Sequence, residues 1–341
     1  MGTITHLPGR LRVVPHRIDA EGDVLAAVSG AMLGVAPGQS CEALGRSGLL
    51  AVSVPSDFGG LDIANHVLAE AVAVTAANSR EVAEALVLHA AALEGIRHAG
   101  SEEQRRSAFS RVLGGERFLL ATGHAPSDAK ARFFADGMGV RLEASLAVTA
   151  AALSTDWFAV PAEDPAGHES LLLVPRHTPG LAIRQSGEDG RAVLELVGVH
   201  VAADSVLALS RLADRMTASV RTLLDAARVL GEGRRSLETV LARQQEATTA
   251  AALAIGWREV EIETVQALIQ RAAIAIDAAQ VAPAEATVAE AHRLSTVLGI
   301  AAARLETGQT ATGAEDDAVV SLGRDSMTRR RDPDWSGSAG V

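Results

Sequence analysis

Two short strings, Pro55-Ser-Asp-Phe-Gly-Gly-Leu61 and His98-Ala-Gly-Ser-Glu-Glu-Gln-Arg105, decide the fold predicted for this chain. A proline and a glycine pair free the first string from helix, and glycine lets the backbone take a positive φ. In the second string Ser101 fits a helix N-cap, and Gln104 three residues later completes the pattern of a capping box. Both strings are therefore predicted to be structural turns at helix ends.

Composition limits the classes of protein to which the chain can belong. Its 341 residues are 48% apolar, which is enough for two or three domains with a large core. The formal charge of −11, from 42 acidic and 31 basic residues, argues against a nucleic-acid surface. The single Cys41 fits a reducing cytoplasm, and no run of about 20 apolar residues predicts a membrane span.

The spacing of apolar residues changes twice along the chain. Up to residue 116 they recur every three or four residues, as in helices; from 117 to 208 short Val- and Leu-rich runs between Gly, Pro and Asp are typical of strands. From 209 onward long alanine-rich helical patterns return. The predicted helices are Ile18–Leu33, Cys41–Val52, Ile63–Asn78, Arg80–Ala99, Leu212–Arg243, Glu246–Ala282, Ala284–Glu306 and Val319–Arg329, and the predicted strands are Arg117–Thr122, Asp156–Pro161, Ser170–Pro175 and Ala192–Val201.

The two turns, in this order and at this spacing, resemble those of the acyl-CoA dehydrogenase superfamily. There a Pro-x-x-Tyr/Phe-Gly-Gly-Leu turn and a Gly-Thr/Ser-Glu-Glu-Gln-Arg/Lys turn punctuate the N-terminal helical domain. The resemblance implies an α+β multidomain fold with an N-terminal helical domain (1–116), a central antiparallel β barrel or sandwich (117–208), and a C-terminal four-helix bundle with a tail (209–341). It also implies a homodimer or homotetramer, since alanine-rich helix faces of this kind often bury a second subunit.

The end of the chain resembles one branch of that superfamily. Arg324-Asp325, followed by Arg331-Asp-Pro-Asp-Trp335, is similar to the ending of flavin-dependent monooxygenases such as dibenzothiophene monooxygenase and the oxygenase component of hydroxyphenylacetate hydroxylase. The resemblance implies FAD or FMN as cofactor, a partner flavin reductase, and contacts from Arg324 and Arg331 to the flavin or substrate. The branch has a histidine where Arg331 stands, and an arginine cannot serve as a general base.

Two further strings resemble the flavin-facing segments of the superfamily but depart from them. Ala121-Thr-Gly-His-Ala-Pro-Ser-Asp128 is similar to the Thr-Glu-Pro-x-x-Gly-Ser-Asp loop, which implies that Thr122 and Ser127 bind flavin. The Glu-Pro pair of the loop has become Gly-His. In Ala144–Ala152 the hydroxyl that would reach the flavin ring is either Thr149, one place away from its position in the superfamily, or absent, with Ala150 at that position.

His89 is the candidate catalytic residue. It lies at the place where the monooxygenase branch sets a histidine that faces flavin and substrate, so the resemblance implies a role in the pocket. The other reading is a structural histidine on an apolar helix face. The remaining histidines show no metal-ligand spacing, so no metal site is predicted.

Three functional hypotheses follow. The first is a cytoplasmic flavin-dependent oxidoreductase that oxygenates or dehydrogenates a small, largely apolar metabolite, as a tailoring enzyme of a biosynthetic pathway. The second is a flavin-free enzyme that keeps the pocket and promotes cyclisation, isomerisation or dehydration by positioning its substrate. The third is a non-catalytic subunit that pairs with an intact homologue.

Overall fold

A computed structural model describes residues 15–32, 40–122, 130–186, 191–243 and 248–307 of the chain. Helices come first, strands follow, and helices return, which is the predicted order. The helices are α1 (Val24–Met32), α2 (Ser40–Ser47), α3 (Asn65–Asn78), α4 (Arg80–Ala99), α5 (Glu102–Leu113), α6 (Arg211–Arg243), α7 (Thr249–Val281) and α8 (Glu285–Thr307). The strands are β1 (Phe118–Leu120), β2 (Ala131–Asp136), β3 (Gly139–Thr149), β4 (Trp157–Glu163), β5 (Glu169–Pro175), β6 (Leu181–Ser186), β7 (Arg191–Ala202) and β8 (Val206–Ala208).

The two turns that suggested the fold contact each other. Gly59 ends a short 3-10 helix with a φ of 88°, a conformation that glycine adopts without strain. Ser101 and Gln104 form the predicted capping box at the start of α5. Phe58 of the first turn packs on Phe109 of α5 with ring centroids 5.1 Å apart. Arg105 of the second turn lies over the same ring, with its guanidinium carbon 5.6 Å from the Phe58 centroid, so the two turns are in direct contact.

The predicted fold class is confirmed, and the central sheet, predicted as an antiparallel barrel or sandwich, also contains two parallel pairs. Within the described ranges it has eight strands, and seven of them run in the order β6-β7-β3-β2-β4-β5-β8. β1 lies parallel to the first half of β4, and β2 lies parallel to its end. Short Val- and Leu-rich runs predict strands but carry no information on their direction, because the pairing between β1 and β4 is set by tertiary packing.

Side-chain alternation gives the sheet two buried faces. On β5, Leu171 and Leu173 pack with the helices, while Leu172 and Val174 pack in the interior cluster formed by the strands. This is the period-two pattern of a strand that is buried on both sides. The sheet therefore presents one apolar face to the helices, and that face forms one wall of the candidate site.

The helices before and after the sheet share one hydrophobic core. It extends from α1 to α8, and α6 lies at its centre, packed against α3, α4, α7 and α8. Gly231 permits the close approach of α6 to α3, because a Cβ there would overlap the backbone carbonyl of Ala73. The last predicted helix, Val319–Arg329, lies outside the described residues, as does the predicted polar loop before it. The division at residues 116 and 208 remains a prediction.

Within the described ranges, no helix combines the length and the apolar character that a membrane crossing requires.

Candidate functional site

A cleft of about 370 Å³ lies between the helix-facing side of the sheet and helix α6. The sheet contributes Leu120 of β1, Pro161 of β4 and Leu171 of β5, which form an apolar wall. Leu209 closes one side, and Thr122, two residues beyond the end of β1, contributes a hydroxyl. The helix wall consists of Asp214, Thr217, Ala218, Arg221, Thr222 and Asp225.

The helix wall is one face of α6. Its six residues recur at intervals of three and four, which places their side chains along a single stripe. The opposite stripe, with Met216, Leu223 and Ala227, is fully buried in the core. The core therefore fixes the rotation of α6 and keeps the polar stripe turned toward the cleft.

Arg221 organises the polar end of the cleft. Its Nη1 donates a hydrogen bond to Thr122 Oγ1, and its Nε lies 3.6 Å from Asp225 Oδ2. On the other side of the carboxylate, Arg228 Nε lies 3.7 Å from Asp225 Oδ1. Burial raises the pKa of Asp225 above its ordinary value, although the two guanidinium groups lower it in part.

A charge cluster behind Asp225 joins three helices. Arg228 of α6 contacts Glu232 at 2.8 Å and Glu306 of α8 at 3.7 Å. Glu84 of α4 has its pKa raised by burial, against the attraction of Arg228 and Arg80. The carboxyl groups of Asp225 and Glu84 thus retain protons more readily than usual. Asp225 lies at the polar end of the cleft, and Glu84 lies behind it. Such groups can exchange protons with a bound ligand.

Thr149 ends β3 with a buried hydroxyl. Among the described residues its Oγ1 is one of two buried side-chain polar atoms that have no hydrogen-bond partner. A buried hydroxyl without a partner costs about 1–3 kcal/mol, so such an atom calls for an explanation. A ligand that accepts its proton would provide one. Thr149 does not belong to the lining of the α6 cleft described above.

His89 is buried in the middle of α4 and bonds to the backbone through both ring nitrogens. Nε2 lies 3.0 Å from the Leu50 carbonyl oxygen, and Nδ1 accepts from the Phe118 amide at 3.1 Å. A carbonyl only accepts, so Nε2 carries the proton of the neutral ring. Burial, with a smaller contribution from nearby Arg117, lowers the pKa of His89 to about 4 against the opposing effect of the two backbone bonds. The imidazole is thus neutral at pH 7 and ties α4 to β1.

Three of the predicted cofactor residues, Ser127, Arg324 and Arg331, lie outside the described residues. Thr122 and Thr149 are described, and the structure places them at the ends of two different strands, β1 and β3. In the described part of the chain no group of three His, Cys, Asp or Glu side chains is arranged to hold a metal ion.

The polar stripe of α6 was missed by the sequence reasoning. Its signal is present in the sequence as Asp214-x-x-Thr-Ala-x-x-Arg-Thr-x-x-Asp225, a polar series at helical spacing beside an apolar one. A polar helix stripe usually faces solvent, and only the tertiary structure shows that this one faces the sheet.

Comparison with known families supports the N-terminal part of this architecture. Residues 33–116 match the family model of the acyl-CoA dehydrogenase N-terminal domain, which includes both turns. No curated protein matches the sequence significantly.

Solved structures match almost the whole chain. KijD3, solved in complex with dTDP, superposes with a TM-score of 0.71 at 18% identity, over 94% of this chain and 95% of its own. The chain has the acyl-CoA dehydrogenase fold. Methanesulfinate monooxygenase MsuC from Pseudomonas fluorescens gives 0.67 at 20% identity, with 89% and 87% covered. Dibenzothiophene monooxygenase TdsC from Paenibacillus sp. A11-2 gives 0.69 at 16% identity, with 92% and 93% covered.

At these identities the likeness concerns the acyl-CoA dehydrogenase fold alone. TdsC has also been solved with FMN and indole bound.

Proposed function

We propose that this chain is a flavin-dependent oxidoreductase that oxygenates or dehydrogenates a small, largely apolar metabolite in the α6 cleft. The observation that carries the proposal is the position of Thr122. It is the first matching residue of the string that resembles the flavin loop, and its hydroxyl lies in the wall of the cleft, bonded to Arg221. A flavin held by that loop would thus lie next to a cavity able to take a small molecule.

The described residues fit a flavin. Its ring carbonyls and nitrogens accept hydrogen bonds, and Thr149 offers a buried hydroxyl whose proton has no acceptor among the described residues. Thr122 Oγ1 accepts from Arg221 and keeps its own proton free to donate. We infer that these two hydroxyls would hold the flavin, together with Ser127, Arg324 and Arg331 of the remaining chain. A bound flavin, FMN or FAD, would supply the electron transfer.

The cleft residues would bind and orient the substrate. Leu120, Pro161 and Leu171 offer it an apolar wall, which excludes water from the reacting region. Arg221 holds the Thr122 hydroxyl in place. Asp225 lies at the same end and retains a proton more readily than an ordinary aspartate, so it is suited to give or take a proton there.

We further propose a homodimer or homotetramer that receives reduced flavin from a partner reductase and works as a tailoring enzyme of a biosynthetic pathway. Support for the oligomer comes from large apolar side chains exposed on α7 and α8. Ile274 is 66% exposed, Val281 86% and Ile300 64%. Exposed apolar side chains on neighbouring helices are typical of a surface that a second subunit covers.

Flavin titration of the purified protein tests the cofactor directly. We expect FMN or FAD fluorescence to be quenched at micromolar protein concentration. Thr149→Val should weaken flavin binding about fivefold, because one hydrogen bond is lost, and should raise the stability of the flavin-free protein by ~1 kcal/mol, because an unsatisfied hydroxyl is removed. Thr264→Val, on the exposed side of α7, is the matched control and should leave flavin binding unchanged.

Flavin titration separates the flavin-dependent enzyme from the two other functional hypotheses. Absence of quenching by both flavins would refute the proposal. In that case, conversion of a metabolite by the colourless protein would indicate the flavin-free enzyme. Co-purification with a flavin-bearing homologue would instead indicate the non-catalytic subunit.

A further inference from the structure

The charges of the cleft are unbalanced toward acid. Three charged side chains line it, Asp214, Arg221 and Asp225. Arg221 is engaged with both Thr122 and Asp225, so its charge is already matched. Asp214 forms no salt bridge with any described residue. Asp214 is exposed to solvent, but desolvation by the surrounding protein and the nearby Glu169 carboxylate raise its pKa, which indicates too little compensating positive charge around this carboxylate.

The groups around Asp214 confirm the acidic character of this end. Lys130, the single lysine of the sequence, is engaged with Glu163 at 3.2 Å and Glu169 at 3.1 Å. Arg215 and His292 also lower the pKa of Asp214, but by less than burial and Glu169 raise it. A positive group of a ligand would therefore be stabilised at this end, and a negative group would be repelled.

Asp214 lies at a distance from Thr122 and Arg221, which mark the polar end of the cleft, where the reaction is proposed to occur. Asp214 lies seven residues before Arg221 on the same stripe of α6, which corresponds to a rise of about 10 Å. Leu171 and Leu209 lie along the cleft with them and carry no charge. A ligand that spans the cleft would thus meet a carboxylate, an apolar stretch and then the Thr122 hydroxyl.

We propose that the cleft takes a substrate that carries a basic amine on a small apolar body. The ammonium group binds Asp214, the body lies against Leu171 and Leu209, and the far end reaches Thr122 and Arg221. The same charges disfavour substrates with phosphate or carboxylate groups, including coenzyme A thioesters. The identity of the reaction rests on the proposed function, but the preference for an amine is a property of the cleft alone.

An acidic residue at position 214 also has a purely structural explanation. It lies in the first turn of α6, where a negative side chain stabilises the helix dipole. Helix stability alone predicts that Asp214→Asn lowers stability slightly and changes no ligand preference. The amine proposal predicts a change in ligand preference.

Three probes that share the indole ring and differ in charge test the proposal on the full chain by isothermal titration calorimetry at pH 7.5. They are tryptamine (cationic), indole (neutral) and indole-3-acetate (anionic). We expect tryptamine to bind about fivefold more tightly than indole, as for a partly exposed ion pair, and indole-3-acetate to bind most weakly. Raising the salt concentration to about 0.5 M should reduce the preference.

Asp214→Asn should bind tryptamine and indole within about twofold of each other. Glu238→Gln changes the net charge equally on the same helix, outside the cleft lining, and should keep the native ranking. Equal or tighter binding of indole or indole-3-acetate, a preference that survives in Asp214→Asn, or no binding of tryptamine up to about 5 mM would each overturn the proposal.

The flavin titration is independent of these probes. An amine preference in a protein that binds no flavin would leave this inference standing and remove the flavin proposal. Flavin binding without an amine preference would remove only this inference.

Discussion

Acidification should weaken the fold through one buried imidazole, His89. The neutral ring bonds to Leu50 and Phe118, and burial lowers its pKa from 6.5 to about 4 in the folded protein. In the unfolded chain the ring takes up a proton near pH 6.5. Above pH 6.5 both states hold neutral His89 and its full contribution to stability is present. Below it, only the unfolded chain gains the proton, and stability falls until the folded pKa is reached.

The magnitude follows from the two pKa values. A difference of one pH unit corresponds to 1.36 kcal/mol, so the interval from 6.5 to about 4 corresponds to ~3.4 kcal/mol of unfolding free energy. Between pH 7.5 and pH 4.5 the loss is ~2.7 kcal/mol. A loss of this size is a large part of the 5–15 kcal/mol that typically holds a domain folded.

Urea unfolding of the native protein and of His89→Gln at pH 7.5, 6.5, 5.5 and 4.5 measures this contribution. Glutamine does not titrate, and all other groups are common to both proteins. The native protein should be the more stable by about 2–4 kcal/mol at pH 7.5, since two buried backbone groups lose their partner in the variant. That advantage should shrink by ~2.7 kcal/mol at pH 4.5.

His66→Gln removes an exposed imidazole and is the matched control, for which we expect no such convergence. An advantage of native protein over His89→Gln that stays constant across the four pH values would refute the reasoning, because it would mean that the buried ring gains its proton as readily as an exposed one. A catalytic role for His89 remains a prediction, and any test of turnover must first correct for this loss of stability.

Three further substitutions test the packing and polar contacts of the helices by urea unfolding. Gly231→Ala should lower the free energy of unfolding by about 2–3 kcal/mol, because the added methyl group overlaps the Ala73 carbonyl. The control Gly233→Ala, on the same helix, meets only ordinary contacts and should be neutral or stabilising by up to ~1 kcal/mol. Equal effects of the two substitutions would contradict the close helix crossing. Glu94→Gln should cost ~3 kcal/mol at pH 7. Burial raises the pKa of Glu94, but His98, Arg97 and Gln280 outweigh it and lower that pKa, so the cost should shrink as the pH falls below 4.5 through the folded pKa. Ser101→Ala should cost ~1 kcal/mol through loss of the capping box, and an unchanged midpoint would argue against that cap.

Local patterns were enough to predict the elements that are long and regular. The helix predicted over Arg80–Ala99 has the bounds of α4, and the strand predicted over Ala192–Val201 lies within β7. Strands β2, β6 and β8 were missed, and of β3 only the part from Ala144 was recognised, because these segments are short or half polar and their period-two pattern is weak. Their strand conformation is stabilised by partners that are distant in the sequence.

The site was harder to predict than the fold. The resemblance directed attention to Thr122 and Thr149, which the structure describes, and to His89, whose two backbone bonds become visible only once β1 is placed beside α4. The stripe from Asp214 to Asp225 looks like an exposed helix face in the sequence. Its position in the wall of a cleft depends on the sheet opposite it, and no local pattern reports that contact.

The central helix α6 has a practical consequence for identifying the natural ligand. One side of it carries the core that unites the helices, and the other side lines the cleft. A compound that binds the cleft therefore stabilises the same helix on which cooperative melting depends. Screening a library of metabolites for a rise in melting temperature should reveal ligands of this protein before its reaction is known.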